Sequence, residues 1–372
     1  MRSSLLGLVG LSAIGVVGCG AYDASGSFDD DDDDDGPYSA DGDADSDVDS
    51  DADADADADG DADGDAGSDG EGGQGGGAGI LTAGVWDDNR NYGHFLAYLS
   101  SSAREIAGAP PFTDEEIELA HTFFAEPAPA RSTLDVALVI DTTGSMLDEI
   151  GYLQDEYIAI TTAIAERFPE ASQRWSLVLY RDEGDEYVTR SFDFTSNASA
   201  FRDHLAEQTA DGGGDFPEAP EQALSVMNGL SWSDARGTAR LAFWVADAPH
   251  HPGDAGALAD EVRAAQQNGI HVYPVASSGV DGLAELAMRH AAQLTGGRYI
   301  FLTDDSGVGG SHAEPTIPCY YVTKLDDALL RMVEIEMTGD YREPAAAEIL
   351  RTGGDPRNGA CTLAGGDVVM AF

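Results

Sequence analysis

Residues 133–147 read TLDVALVIDTTGSML. From Leu134 to Ile140 the side chains are Val, Leu, Ile and Ala apart from Asp135, the composition of a strand buried on both faces. The run stops at Asp141, and side chains bearing oxygen follow at every second position: Asp141, Thr143 and Ser145. Met146, Ile150, Leu153, Tyr157, Ile160, Ile164 and Phe168 then recur at spacings of four and three, one apolar stripe of a helix, before Pro169 stops it. A buried strand, a polar turn and an amphipathic helix open an α/β unit.

The pattern continues downstream. WSLVLYRD (175–182) predicts a second buried strand, and EYVTRSFDF (186–194) alternates like a half-exposed edge strand. Helices are predicted over 196–208 and 220–228, followed by a buried strand RLAFWVAD (240–247) and a helix over 257–268 closed by Gly269. IHVYPVAS (270–277) predicts a strand, 283–294 a helix closed by Gly296, and RYIFL (298–302) a last strand. The expected fold is α/β: a doubly wound, mainly parallel sheet with helices on both faces. Ligands of such sheets bind beyond the carboxyl ends of the strands, where Asp141 and Asp247 both fall.

Four chemistries compete for DTTGS. Ser145 suits a helix cap, which leaves Asp141 and Thr143 unexplained. Aspartic proteases carry Asp-Thr-Gly, but here an extra Thr separates Asp141 from Gly144, and those enzymes are β-rich. Haloacid-dehalogenase-like phosphatases need a second Asp where this chain has Thr143, and a basic residue near the phosphate; the one lysine of the chain is Lys324. A divalent cation wants hard oxygen ligands, and a carboxylate with two hydroxyls on one tight loop supplies one face of an octahedron.

Asp141-x-Thr143-x-Ser145 after an apolar strand resembles the first motif of the metal-ion-dependent adhesion site of von Willebrand factor type A domains. The resemblance spans 134–302 and continues through YRDEGDEYVTRSFDFTSNASAFRDHL, GGGDFPEAPEQAL and FWVADAPHH, which look like the hemicentin-like branch. It implies a Rossmann-like domain over 131–303 in which Asp141, Thr143 and Ser145 hold Mg2+ (or Mn2+ or Ca2+) directly or through water, with Asp247 as an outer carboxylate. Many members place a Thr ligand in the second loop; here 212–218 read GGGDFPE, and Asp215 is the substitute. A carboxylate there offsets the ion's charge and weakens it as an electrophile toward a partner's acidic side chain. His250 and His251 follow Asp247 without the Cys or Glu a zinc site would need, and read as loop residues. Arg181 and Asp182 are expected to pair beside the crevice.

The flanks are of a different kind. MRSSLLGLVGLSAIGVVGCGA has one base, then an apolar stretch from Leu5 to Val17, too short to span a bilayer as a helix, as in a secretory signal peptide. Val16-Val17-Gly18-Cys19 resembles the bacterial lipobox, which implies a lipid anchor on Cys19 and, with Gly20 next, the outer membrane of a Gram-negative cell envelope. Residues 20–79 are nearly all Asp, Ala, Gly and Ser and are expected to be a disordered, self-repelling tether. DADADG and DGDADG open like calcium loops, but position twelve is Ala66 in one and Gly70 in the other where the loop needs Glu. Residues 80–130 read as a small helical flanking segment, with a helix from Asp114 capped by Thr113, and 304–372 as an extension with one helix from Leu325. In an exported protein Cys319 and Cys361 are a candidate disulfide, although spacing alone does not bring the sulfurs together.

The chain has 372 residues, 19 basic and 69 acidic, a net charge of −50. Residues 1–79 hold 23 acids and one base (−22), leaving 46 acids and 18 bases (−28) for the rest. No nucleic-acid partner is expected, because its binding needs clustered Lys and Arg. No nucleophile stands beside a base at motif spacing, so the expected function is not enzymatic. It is cation-dependent binding of a protein or surface ligand. The alternatives are a metal-dependent hydrolase at the same crevice, and a structural domain whose acidic stalk is a cation-buffering coat.

Overall fold

The computed structural model describes residues 81–124, 129–213, 216–277, 279–306, 312 and 315–372. The signal peptide, Cys19 and the acidic tether lie outside the described residues, as does Asp215. All described residues belong to one compact unit, 72–372. In chain order the strands are β1 (Thr82–Trp86), β2 (Thr133–Asp141), β3 (Ser172–Tyr180), β4 (Thr189–Thr195), β5 (Thr238–Ala246), β6 (His271–Ala276), β7 (Tyr299–Thr303), β8 (Tyr320–Lys324), β9 (Arg351–Gly353), β10 (Ala360–Thr362) and β11 (Val368–Met370). The helices are α1 (Tyr92–Ser100), α2 (Asp114–Phe124), α3 (Leu147–Arg167), α4 (Ala198–Ala206), α5 (Pro220–Asn228), α6 (Ala255–Gln267), α7 (Gly282–Thr295) and α8 (Leu325–Thr338).

Nine strands form one sheet in the order β4-β3-β2-β5-β6-β7-β1-β8-β9. Strands β3, β2, β5, β6 and β7 run parallel. Antiparallel β4 closes one edge, and β1, β8 and β9 extend the other. Because successive strand residues point to opposite faces, the apolar run of β2 divides cleanly. Val136, Leu138 and Ile140 join a core with the apolar sides of α3 and α8. Ala137 and Val139 join the opposite core with α5, α6 and α7. The doubly wound parallel sheet expected from the sequence is therefore the fold observed.

The flanks depart from expectation. The segment read as helical supplies β1, fully buried and paired to β7 on one side and β8 on the other. The C-terminal extension supplies β8 and β9 to the same sheet besides its helix α8. Both are edge-completing additions, and the reason is close packing. Gly84 of β1 lies opposite Phe301 of β7, and a Cβ there would sit 2.3 Å from the ring. Gly353 of β9 lies opposite Tyr320 of β8 in the same way, at 2.2 Å. Each aromatic ring covers a glycine, so neither strand shows the unbroken β-branched run that marks a strand in sequence. Thr113 does begin α2, through a reciprocal box: the Glu116 amide donates to Thr113 Oγ1 (3.2 Å), and Glu116 Oε2 accepts from the Thr113 amide (2.8 Å). Cys319 and Cys361 are bonded, with Cα atoms 5.9 Å apart. No helix among the described residues is long and apolar enough to cross a membrane.

Away from the strand carboxyl ends, Glu336 of α8 is 5% exposed and lies 2.7 Å from His271 Nδ1, accepts from Tyr273 Oη (2.6 Å) and faces Arg131 at 3.7 Å. Burial pushes its carboxyl up, but the His271 and Arg131 charges and these hydrogen bonds pull it to about 2. A carboxyl held below its unfolded value stabilises the fold above that value, and the contribution fades as pH falls from about 4.3 toward 2. Glu336→Gln is expected to cost on the order of 3 kcal/mol at neutral pH. The gap to wild type should close in that acid window. Urea titrations of both proteins between pH 7 and pH 3 check this, and a gap independent of pH would refute it.

Candidate functional site

The site is built where β2 and β5 end. Asp141 is the last residue of β2 and is fully buried. Its Oδ1 accepts from the Thr143 amide (2.9 Å) and from Thr143 Oγ1 (2.7 Å), so the turn after the strand closes on its own carboxylate. Its Oδ2 is buried and has no protein partner. Burial, reinforced by the Asp247 and Glu149 charges and opposed by the Thr143 bonds, pushes this carboxyl up to about 7. Asp247, one residue past β5, is 1% exposed, and its Oδ1 also lacks a partner. Burial raises it, and a hydrogen bond from the Ser145 hydroxyl opposes the rise. The structure thus brings Asp141, Thr143, Ser145 and Asp247 together. Ser145 does not cap: neither the short turn at Gly144–Met146 nor α3 has a side-chain cap bond.

A second loop packs on the first. Gly144 N–H donates to Gly212 O (3.2 Å) and Asp211 N–H to Thr142 O (3.0 Å). The Thr142 hydroxyl donates to Tyr180 O (2.9 Å). Gly213, at φ +65°, leaves room that a Cβ would close, 3.0 Å from Thr143 Cβ. Arg181 does not pair with Asp182. It is buried, with Nε donating to Thr142 O (3.1 Å) and Nη2 to Thr209 O (3.1 Å), so it staples the two loops together. Asp182 takes His251 instead, Nε2 to Oδ1 2.7 Å, which raises the imidazole pKa. His250 Nε2 lies 2.8 Å from Gly108 O, tying the crevice loop to the N-terminal flank. Each of the two histidines, read from the sequence as a loop residue, thus has a protein oxygen as partner.

Over these loops opens a cavity of about 380 Å3 lined by Thr143, Gly144, Ser145, Gly212, Gly213, Phe216 and Glu218. Glu218 was not singled out from the sequence. It is 1% exposed, and burial followed by the charges of Asp141, Asp182, Asp185 and Asp247 pushes its carboxyl up to about 9. The signal was a Glu three positions after Asp215 in the same glycine-rich loop.

Among the described residues no group of three or more His, Cys, Asp or Glu stands ready to hold a metal by itself. A site here would use the hydroxyls of Thr143 and Ser145 as well. The donor set fits a hard cation: two buried carboxylates each keep an oxygen that no protein donor satisfies, beside two hydroxyls.

The structure is thus an open, mainly parallel α/β sheet that gathers carboxylates and hydroxyls at the carboxyl ends of its strands, the place where ligands of such sheets bind. Residues 135–306 match the family model of the von Willebrand factor A domain, and that segment is a domain of this family. A putative ariadne-like RING finger protein of Acanthamoeba polyphaga mimivirus is 29% identical over 121 residues, 32% of this chain and 12% of that protein. Alpha-protein kinase vwkA of Dictyostelium discoideum is 25% identical over 158 residues, 42% of this chain and 24% of that protein. The chain thus spans a quarter or less of the length of these relatives. Among solved structures, the conserved hypothetical protein BatB from Bacteroides thetaiotaomicron aligns with a TM-score of 0.37 at 14% identity, over 54% of this chain and 97% of that one. The pilus adhesin SpaC from Lactobacillus rhamnosus GG, in its open conformation, aligns with a TM-score of 0.34 at 13% identity, over 45% and 27%.

Proposed function

We propose that this domain is a binding module that uses a divalent cation, Mg2+ or else Mn2+ or Ca2+. Asp141, Thr143, Ser145 and Asp247 would hold it, with Asp215 from the second loop. The observation that carries the reading is the pair of buried, unpartnered oxygens, Asp141 Oδ2 and Asp247 Oδ1, next to a cavity walled by Thr143 and Ser145. An unpaired buried carboxylate is costly, and a cation offsets that cost. A bound ion supplies an electrophile for an acidic side chain of a protein or surface ligand. The protein's own groups do the positioning: Thr143 fixes the rotamer of Asp141, and Arg181 holds both loops. The reading is one of binding, with no catalytic residue. The sequence adds an address to it: a lipid on Cys19 would display the domain at the cell envelope, outer membrane included, on an acidic tether.

The test is titration calorimetry of Mg2+ and of Mn2+ into the chelator-stripped chain, with Asp141→Asn beside it to subtract diffuse binding by the acidic tether. One saturable site is expected, weakened at least about 100-fold in the variant. Identical isotherms for the two proteins would sink the reading.

A further inference from the structure

We infer that a cavity at Arg331 is a second ligand site, which takes an amino acid or short peptide by its carboxylate and its ammonium group. The cavity has a volume of about 600 Å3, within the range of small-molecule sites, and lies between the end of α3, α8 and the segment 342–348. It is separate from the crevice. Helix α3 begins beside Ser145, and only its last turn and a half reaches this cavity, roughly 25–30 Å along the helix.

Arg331 lines the cavity and is 6% exposed. Its Nη1 donates to Arg342 O (3.3 Å), and the guanidinium lies over Phe372, 5.0 Å from the ring centre. Its Nε and Nη2 are buried and have no partner in the protein. Burial pulls its pKa down to about 10, which leaves it a cation at neutral pH. Nε and Nη2 form the side of the guanidinium that grips a carboxylate with two parallel bonds. Two other buried pairs of this chain are made that way: Arg174 holds Asp135 through Nε (2.9 Å) and Nη2 (2.6 Å), and Arg289 holds Asp88 through Nε (3.0 Å) and Nη2 (2.8 Å). At Arg331 the same fork is present and the carboxylate is missing. The other arginines of the cavity are served by Glu334, which faces Arg167 Nε at 2.5 Å and Arg342 Nη1 at 3.0 Å. A buried cation short of partners has an anion as its natural counter-charge.

The rim has the opposite sign. Glu166, Glu343 and Glu348 are exposed and Asp327 is half-buried, all four lining the same cavity. Burial raises the Asp327 carboxyl, and the Asp326 and Glu348 charges add to the rise. A simple anion would be repelled by this rim. A ligand that carries an ammonium group behind its carboxylate meets the guanidinium inside and the carboxylates outside. Amino acids and short peptides have that order of charges, and Leu330 and Ala163 give their side chains an apolar wall.

Glycyl-L-leucine is the probe, titrated calorimetrically into the full chain, with circular dichroism melts to report folding. One saturable site is expected, weakened at least about 10-fold in Arg331→Met, which removes the fork and keeps the stem. N-acetylglycyl-L-leucine lacks the ammonium group and glycyl-L-leucinamide lacks the carboxylate. Each should bind at least about 10-fold more weakly than the parent dipeptide. Glu343→Gln/Glu348→Gln changes two exposed positions; it should weaken the dipeptide and narrow its advantage over the N-acetyl form. No binding to wild type, the same isotherm in folded Arg331→Met, or equal affinity for the N-acetyl form would overturn the inference. If Arg331→Met does not fold, the Glu343→Gln/Glu348→Gln variant carries the test, and wild-type affinity there would overturn the inference as well.

Discussion

Replacing Arg289 by Met is expected to cost about 3–5 kcal/mol of folding stability, among the largest single-site losses in the molecule. Arg289 lies in α7 with no solvent exposure. Its Nε donates to Asp88 Oδ2 (3.0 Å), Nη2 to Asp88 Oδ1 (2.8 Å) and Nη1 to Glu285 Oε1 (3.0 Å), while Tyr98 stacks 3.9 Å beneath the guanidinium. Asp88 follows β1 and accepts in addition from Trp86 Nε1 (2.8 Å). Met matches the stem of the side chain but leaves Asp88 charged, buried and short of two donors. Removing one member of a buried pair is therefore worse than removing both. The double variant Arg289→Met/Asp88→Asn should recover a large part of the loss, which a double-mutant cycle by urea denaturation measures. A loss below about 1 kcal/mol for the single variant would mean that water reaches Asp88 and the pair is not closed.

This pair also shows why the flanks were hard to read. The parallel strands were legible because β2, β3, β5, β6 and β7 are short apolar runs alternating with amphipathic helices, a pattern set by burial on both faces. Strand β1 is TAGVW, and its partners β7 and β8 lie more than 200 positions away. Nothing local distinguishes it from a linker, since the ring of Phe301 fills the space above Gly84. The site divides along the same line. Asp141, Thr143 and Ser145 share one turn, so their spacing states their geometry. Asp247 was found by the rule that ligands gather at strand carboxyl ends. Glu218 escaped, and Arg181 was expected to pair with Asp182, because each acts across loops. Arg181 spans Thr142 and Thr209, and Glu218 is anchored to Pro249 and meets Thr143 over a glycine. Such pairings depend on how loops stack, which no single stretch of sequence encodes.

Opening the disulfide is the second large effect. Cys319 precedes β8 and Cys361 lies in β10, a separation of 42 residues that encloses β8, α8 and β9. In the chain-entropy account, a bridge over a loop of this length stabilises the fold by about 4 kcal/mol, by restricting the unfolded chain. Cys319 is fully buried and Cys361 is 4% exposed, within the core that also holds Ile317, Tyr320 and Val369. A reductant therefore reaches the sulfurs only when this corner opens. Two results are expected. Cys319→Ala/Cys361→Ala should lower the urea midpoint by an amount equivalent to about 4 kcal/mol. Wild type should resist mild dithiothreitol when native and lose the same increment once unfolded and reduced. The consequence reaches past stability, because β8 is the neighbour of β1 and β1 pairs β7. Loosening the C-terminal corner uncovers the outer edge of the sheet and leaves the crevice at β2 and β5 intact. Cation binding by the reduced or alanine-substituted protein should therefore match that of wild type at temperatures where both are folded. A parallel loss of cation affinity would show that the two ends of the sheet are energetically coupled.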